Sequence, residues 1–139
     1  MEGIIMERSL VLIKPDAVER NLIGKVISYY EEAGLKIANI KMLQVSRELA
    51  EKHYECHKGK EFYEKLIKYI TRSPLCAMIV EGDDAIERVR KINGATRPDE
   101  AEYGTIRRAI GIDGTQNSVH SSDCLENAKK EIELWFGDE

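Results

Sequence analysis

The stretch from Asn117 to Asp123, NSVHSSD, sets one of only three histidines in 139 residues among small polar side chains. An imidazole that titrates near neutral pH can serve as a nucleophile or a proton carrier where a chain reversal leaves it accessible. The same stretch also fits an ordinary polar loop, in which Asp123, with Glu126 three residues on, caps the next helix. Residue types alone favour the ordinary loop, because a histidine in a polar turn rarely acts chemically.

Three basic residues and one hydroxyl stand where they could converge on His120. Lys14 ends an apolar run, Arg90 lies late in a helical pattern, and Thr96 and Arg107 fall in the long segment before His120. Arginine grips phosphate through paired N–H groups and lysine acts as a point charge, so such a pocket would suit a polyphosphate. A histidine there would be a natural phosphate carrier, although the sequence has no Walker A or kinase glycine-rich signature.

The composition is typical of a globular protein. A hydrophobic fraction of 42% and a charged fraction of 33% predict a single domain over residues 1–139. The net charge of -4 disfavours a nucleic-acid coat or a membrane-surface protein, since both need an excess of basic residues on one face. No apolar run approaches the roughly 20 residues of a membrane helix. Residues 1–5 precede Met6, and we expect them to be an alternative start or a remnant of cloning.

The cysteines and histidines outside NSVHSSD give little sign of a metal or a disulfide. The odd and widely spaced set of Cys56, Cys76 and Cys124 favours reduced thiols in a cytoplasmic protein. The run from His53 to His57, HYECH, offers three potential ligands. No second cluster in the sequence completes a tetrahedral site, so we expect no metal held by protein side chains.

Hydrophobic periodicity predicts the elements that position these residues. Strands are predicted over residues 9–13, 35–45 and 75–80 and in a short run ending near Val119, and a change of parity in the second predicts a β-bulge near Ala38 or Asn39. Helices are predicted over residues 21–33, from 46 to about 56, over 61–71, through Ile86 to Ile92, and after Asp123. Residues 93–116 lack periodicity, and so long a connection is more often functional than idle.

The order of these elements predicts the fold class. Without the helical hairpin at residues 46–71 and the last helix, the order is βαββαβ, the ferredoxin-like split unit. We therefore predict an α/β (α+β) sandwich with a four-stranded antiparallel sheet, an inserted helical hairpin and a C-terminal helix.

Five separated motifs, in register over residues 7–136, resemble the nucleoside diphosphate kinase family. The motifs are Lys14-Pro15-Asp16, His53-Tyr54, Gly104-Thr105-Ile106-Arg107, NSVHSSD at residues 117–123, and Glu131-Ile132-Glu133-Leu134-Trp135-Phe136. The resemblance implies a ping-pong exchange of the γ-phosphate between nucleoside triphosphates and diphosphates, with a phosphohistidine on His120. Magnesium would arrive with the nucleotide, without a protein cage of its own.

The resemblance also implies roles for the remaining site residues. The phosphates would be contacted by Lys14, Arg90, Thr96 and Arg107, and the sugar hydroxyls by Asn117 with Lys14. Phe62 would stack on the base with Leu66 nearby, which tolerates every base because each has a π-face. Tyr54 and Glu131 would orient the imidazole, and Ser122 would support them. From the residues alone, Phe62 is by default a core side chain, and helical geometry offers no reason for Glu131 to reach His120.

The chain departs from the family pattern at several positions. Ser121 stands where the family has Gly or Ala, Thr115-Gln116 replaces Gly-Arg, and Arg97 and Tyr103 replace Asn and Pro in the long loop. That loop takes part in subunit contacts in the family, so a homo-oligomer is expected while tetramer and hexamer both stay open.

Two other classes of function compete with the kinase interpretation. One is a ferredoxin-like module that binds a nucleotide or RNA without catalysis, since this fold hosts unrelated functions. The other is an inactive family member that serves as a scaffold. The central strands carry no paired aromatics and the RRM signature is missing, which disfavours the RNA form. The expected partners are therefore nucleoside triphosphates and diphosphates, without a membrane or a specific nucleic acid.

Overall fold

The computed structural model describes residues 6–137. The prediction for residues 1–5 lies outside the described residues. Among residues 6–137, none of the helices has the length and apolar character needed to span a bilayer.

The sheet has four antiparallel strands, as predicted. They are β1 (Met6–Ile13), β2 (Lys36–Leu43), β3 (Leu75–Asp83) and β4 (Val119–Ser121), in the spatial order β2-β3-β1-β4. β1 is central and pairs Leu12 with His120 of β4, so the end of β1 and the histidine lie side by side. The predicted bulge is confirmed, because the register of β2 against β3 shifts between Ile37 and Asn39.

The helices fall into two groups on opposite faces of the sheet. They are α1 (Pro15–Glu19), α2 (Ile23–Glu32), α3 (Arg47–His53), α4 (Tyr63–Ile70), α5 (Ala85–Asn93), α6 (Ile106–Ile110) and α7 (Leu125–Phe136), with short 3-10 turns at Glu55–His57 and Pro98–Glu100. The residues of α2 and α5 pack with one cluster of buried side chains, and the hairpin α3–α4 packs with α7 in the other. The ferredoxin-like arrangement with an added hairpin and final helix is confirmed.

The alternation of β1 explains why its sequence is continuously apolar. Val11 and Ile13 belong to the core under α2 and α5, whereas Leu10 and Leu12 belong to the core under the hairpin and α7. Because the strand is covered on both faces, every residue from Leu10 to Ile13 is fully buried.

Two predictions about local structure were wrong. Asp123 does not cap α7, because the N-cap residue is Cys124 without a side-chain bond, and Asp123 Oδ1 instead accepts a 2.6 Å hydrogen bond from Asn127. The segment 93–116 is not wholly irregular, since Thr105 caps α6 by accepting from the Arg108 amide. Five residues are too few for a periodic pattern, which is why α6 and α1 leave no hydrophobic signature.

Candidate active site

A cavity of about 1190 Å³ opens beside the end of β1 and is walled by the hairpin, α5, α6 and the loop before β4. The tertiary structure brings nine predicted residues to its lining: Lys14, Tyr54, Phe62, Leu66, Arg90, Thr96, Arg107, Asn117 and His120. The remaining two predicted residues are Ser122 and Glu131. Glu131 bonds to His120, and Ser122 bonds to Glu131. Residues from separate helices, strands and loops thus meet in one polar depression.

The carboxylate of Glu131 contacts one nitrogen of the His120 ring. Its Nε2 lies 3.2 Å from Oε1 of Glu131, and the two side chains are 24% and 21% exposed. An ionised carboxylate accepts a hydrogen bond, so the proton of the neutral ring is favoured on Nε2 and the lone pair on Nδ1. This arrangement leaves the Nδ1 lone pair of His120 available for chemistry such as nucleophilic attack.

Ser122 connects this carboxylate to the central strand. Its hydroxyl donates to Oε1 of Glu131 at 2.7 Å and accepts from the Leu10 amide at 3.1 Å. The side chain of Ser122 is fully buried, so its hydroxyl is shielded from water. The position of Glu131 is thereby tied to β1, which explains how a residue on α7 reaches a histidine on β4.

His53 and Trp135 form a second support that sequence reasoning missed. The Trp135 indole N–H donates to His53 Nδ1 at 3.1 Å, and the His53 ring stands edge-on to the His120 ring with centroids 4.7 Å apart. Burial, followed by nearby His120, holds the pKa of His53 well below its usual range. His53 therefore stays neutral, and it lies inside the recognised motif His53-Tyr54, the signal that could have identified it.

The described residues include one group with metal-like spacing. Ligand atoms of His53, His120 and Glu131 all lie within 4.8 Å of one another. The indole of Trp135 already occupies the His53 Nδ1 lone pair, which puts the proton of that neutral ring on Nε2. A histidine that binds a metal through one ring nitrogen carries its proton on the other and donates it to an acceptor. Nδ1 of His53 accepts a hydrogen bond instead, so the three residues fit a hydrogen-bonded support of His120 better than a metal site.

Lys14 is a buried cation at the junction of β1 and α1. It is 7% exposed, and its Nζ donates to Asn117 Oδ1 at 3.0 Å. Burial lowers the pKa of Lys14 to about 7, with the positive charge of Arg107 adding to the fall and the carboxylate of Asp16 opposing it. A bound anion would favour the charged form of the ammonium, so the site is suited to binding a phosphate.

Arg107 adds a second partly desolvated cation. Its two terminal nitrogens donate to the carbonyls of Gly94 at 2.8 Å and Val119 at 2.7 Å, while its buried Nε has no partner among the described residues. Burial lowers the pKa of Arg107, opposed by Tyr30 and reinforced by Arg90.

Gly94 permits this arrangement because its φ is +88°, and an added Cβ would lie 2.6 Å from Thr105 Oγ1.

Asn117 joins the walls of the cavity. The side chain is 3% exposed, and its amide donates to the carbonyls of Thr96 at 3.0 Å and Gly114 at 3.2 Å while its oxygen accepts from Lys14. Thr96 is itself exposed on the lining, and Arg90 is exposed in the last turn of α5. Lys14, Arg90, Arg107, Thr96 and Asn117 therefore all belong to the lining of the cavity that includes His120.

An aromatic side chain also belongs to the lining of the cavity. Phe62 is 45% exposed and precedes α4, whose first residue, Tyr63, takes the buried position instead. The default expectation of a core Phe62 was therefore wrong. The ring lies 5.3 Å from the ring of His57, and half-buried Leu66 lines the cavity one turn further along.

Tyr54 contacts the support of the histidine. Its ring is buried and stands edge-on to His53 with centroids 4.7 Å apart. Burial raises the pKa of Tyr54, and the carboxylate of Glu131 adds to the rise. The hydroxyl therefore stays protonated near neutral pH.

Two of the five residues that depart from the family pattern line the cavity, and the other three are not part of its lining. Ser121 and Thr115 line the cavity, and Gln116 accepts a 2.9 Å hydrogen bond from Arg72. Tyr103 is 85% exposed and its hydroxyl accepts from Arg108 at 2.8 Å. Arg97 lies 3.4 Å from the carboxylate of Asp99. Among the described residues, none of these side chains hydrogen-bonds to His120, Glu131 or Ser122.

Comparison with known proteins extends the resemblance to nearly the whole chain. Residues 7–139 match the family model described as nucleoside diphosphate kinase. A nucleoside diphosphate kinase of Clostridium perfringens is 63% identical over 131 residues, covering 94% of this chain and 92% of that protein. Another, from Pyrococcus furiosus, is 55% identical over 134 residues, covering 94% and 83%.

Solved structures agree with the sequence relatives. A crystal structure of the Aquifex aeolicus nucleoside diphosphate kinase superposes with a TM-score of 0.93 at 35% identity, covering 96% of this chain and 97% of that one. An apo structure of the enzyme from Encephalitozoon cuniculi gives a TM-score of 0.93 at 41% identity, covering 95% and 90%.

Proposed function

The chain belongs to the nucleoside diphosphate kinase family, and from that premise we propose that His120 carries the phosphate in a ping-pong exchange. Nδ1 of His120 attacks the γ-phosphorus of a nucleoside triphosphate. The P–N bond forms as the P–O bond to the β-phosphate breaks, and the nucleoside diphosphate leaves. A terminal oxygen of a second nucleoside diphosphate then attacks the phosphohistidine, and the P–N bond breaks to yield a new triphosphate.

The observation that carries the proposal is the bond between His120 Nε2 and Glu131. A nucleophilic imidazole needs its free lone pair directed toward substrate, and the carboxylate at 3.2 Å favours the proton on the opposite nitrogen. When Nδ1 becomes phosphorylated, the ring becomes cationic, and the same carboxylate stabilises that charge. Ser122, bonded to Glu131 at 2.7 Å, supports this role.

The phosphates would bind Lys14, Arg90, Arg107 and Thr96. Phosphoryl transfer depends mainly on positioning and on neutralising charge. Lys14 and Arg107 are partly dehydrated cations already held in place, so they would supply both with little rearrangement of the site. Arg107 is held by two backbone carbonyls, so its guanidinium is positioned before substrate arrives.

The nucleoside would lie toward the hairpin. Asn117 with Lys14 would bind the sugar hydroxyls, while Phe62 would stack on the base beside Leu66. The exposed ring of Phe62 on the cavity wall supports that role. Stacking accepts any π-face, which fits an exchange among several nucleotides.

Magnesium fits the site as a companion of the nucleotide. The nearest group of potential ligands, His53, His120 and Glu131, supplies two ring nitrogens and one carboxylate, whereas Mg²⁺ prefers oxygen ligands. The phosphate oxygens would hold the ion, and it would neutralise charge on them. Lys14 and Arg107 would share that task from the protein side.

The proposal includes a cytoplasmic homo-oligomer. Cys56, Cys76 and Cys124 are all free, as expected in a reducing compartment. Among the described residues β2 is an edge strand, and it exposes Ile40 at 47% and Met42 at 50%. An unpaired strand edge with apolar side chains favours association with another copy. Light scattering on the purified protein decides between tetramer and hexamer.

Incubation with γ-labelled ATP and magnesium, without an acceptor, tests the reaction. We expect one acid-labile, alkali-stable phosphate per chain, and we expect an added nucleoside diphosphate to discharge it. His120→Ala should abolish labelling while staying folded. The matched control is His57→Ala, which changes another cavity histidine and should keep labelling.

Each contrary outcome points to a different conclusion. A wild-type chain that binds ADP but takes up no label would favour the binding module without catalysis. Persistent labelling of His120→Ala would move the nucleophile to another residue.

A further inference from the structure

Asp16 is a buried carboxylate to which the proposed reaction assigns no role. It is 1% exposed in the first turn of α1, two residues after Lys14. Its oxygens accept from the Ser118 amide at 3.2 Å, the Ser118 hydroxyl at 2.8 Å and Arg20 at 2.9 Å, and also from the Tyr69 hydroxyl. So many donors to one buried group define its position tightly.

The residue that this carboxylate holds has an unusual backbone. Ser118 has a φ of +76°, a left-handed conformation that a residue with a Cβ adopts only when its surroundings impose it. Both its amide and its hydroxyl bond to Asp16, and its carbonyl accepts from the Lys14 amide at 2.8 Å. Asp16 therefore holds the amide and hydroxyl of Ser118, and the Lys14 amide holds its carbonyl.

The turn at Ser118 separates two parts of the proposed site. Asn117, on one side, bonds Lys14 Nζ at 3.0 Å. Val119, on the other, accepts from Arg107 at 2.7 Å and begins the strand that carries His120. A change of φ at Ser118 would rotate these two parts relative to each other.

We propose that Asp16 is a positioning residue: its buried carboxylate imposes the left-handed turn at Ser118 and thereby aligns Lys14 and Asn117 with His120. The inference rests on the proposed phosphotransfer, because it concerns the alignment of groups that would bind and attack the γ-phosphate. Asp16 itself does not touch the cavity.

The charge of Asp16 has a second effect, on the ammonium of Lys14. The groups that face or influence this ammonium are Asp16 in α1, His53 in α3, Tyr69 in α4, Arg107 in α6 and Asn117 before β4. Arg107 lowers the pKa of Lys14 and Asp16 raises it. Removing the charge of Asp16 therefore makes Lys14 lose its proton at a lower pH.

The first experiment compares Asp16→Asn with Val26→Ala in the labelling reaction. Val26 is fully buried in α2, so its variant lowers stability without touching the site. Asp16→Asn should reduce kcat/KM for phosphorylation by ATP on the order of 10- to 100-fold. The loss of kcat/KM at high pH should also move to lower pH by about one unit. Val26→Ala should keep both properties of the wild-type chain.

The second experiment stays informative even when Asp16→Asn does not fold. Ser118→Gly and Ser118→Ala both remove the hydroxyl, but only glycine adopts a positive φ without strain. Ser118→Gly should therefore keep kcat/KM within a few-fold of wild type, whereas Ser118→Ala should fall by roughly tenfold or more. The two variants differ by a single Cβ at a position of positive φ, so the comparison isolates the requirement of the turn for that backbone conformation.

The wild-type control separates this inference from the function on which it rests. A wild-type chain that takes no label overturns the phosphotransfer itself. Normal labelling of the wild type together with an unchanged kcat/KM and pH profile in Asp16→Asn would show that Asp16 only stabilises the fold. Equal rates for Ser118→Gly and Ser118→Ala would equally overturn a positioning role.

Discussion

Replacing Lys14 with methionine should stabilise the chain at pH 6 while it removes phosphate binding. The fall of the Lys14 pKa from its ordinary 10.5 to about 7 reflects the burial of a charged ammonium. At about 1.4 kcal/mol per unit, that burial costs the folded state roughly 5 kcal/mol when Lys14 is protonated. Methionine also loses the bond to Asn117 Oδ1, an unpaired acceptor that costs about 1–3 kcal/mol. The net gain for Lys14→Met at pH 6 is therefore about 2–4 kcal/mol.

The stability advantage of Lys14→Met over the wild type should shrink as the pH rises, because the folded and unfolded wild-type chains then bind different numbers of protons. Between pH 7 and 10.5 the unfolded chain keeps the proton of Lys14 while the folded chain has released it. Stability of the wild type then rises with pH, by roughly 1.4 kcal/mol per unit from this group. By pH 9 that increase amounts to about 3 kcal/mol, which should remove most or all of the stability advantage of Lys14→Met.

Urea unfolding at pH 6 and pH 9, at one protein concentration, measures the two free energies of unfolding. Lys52→Met, which changes an exposed lysine of α3, serves as the control. Its free energy of unfolding should stay close to that of the wild type at both pH values. A stability difference between Lys14→Met and wild type that is the same at both pH values would refute the argument that the folded chain buries a charged ammonium.

Two further predictions concern side chains around the histidine and the base. Glu131→Gln keeps the shape of the side chain but removes the charge, and should slow phosphorylation of His120 on the order of 100-fold, whereas Glu133→Gln on the same helix should not. Rapid-quench labelling measures both rates, and equal rates would remove Glu131 from the mechanism. Phe62→Ala should weaken ADP binding by about 1–3 kcal/mol in calorimetry with nearly the same loss for GDP and CDP, because stacking does not read base edges. A strong new base preference would count against stacking.

Much of the fold followed from hydrophobic patterns because burial acts on local sequence. The strand through Leu10 to Ile13 and the helix from Ile23 were recognisable, since each must bury one or two faces along its length. Short elements escaped the same reasoning. The five-residue helices α1 and α6 owe their form to Pro15 at the first helical position and to the Thr105 cap, and neither creates a periodic stripe.

The sequence predicted the residue types of the candidate site and, through the resemblance, its proposed members, and nine of these residues line one cavity. The geometry of the site was not predictable, because the contacts join residues far apart in the chain. Phe62 shows the limit well: its spacing suits the apolar face of a helix, yet the helix begins one residue later and leaves the ring on the cavity wall. The capping role predicted for Asp123 failed for a similar reason, since α7 begins one residue later than the pattern suggests.

The sequence by itself determined which side chains are available: one histidine in NSVHSSD, several cations at the ends of elements, and a family pattern that joins them. Only the tertiary structure decided how they act together. Pairing of Leu12 with His120 sets the histidine beside the end of β1, and packing of α7 brings Glu131 to its Nε2. The physical reason is that burial, desolvation and hydrogen bonding depend on neighbours in space, and those exist only once the chain has folded.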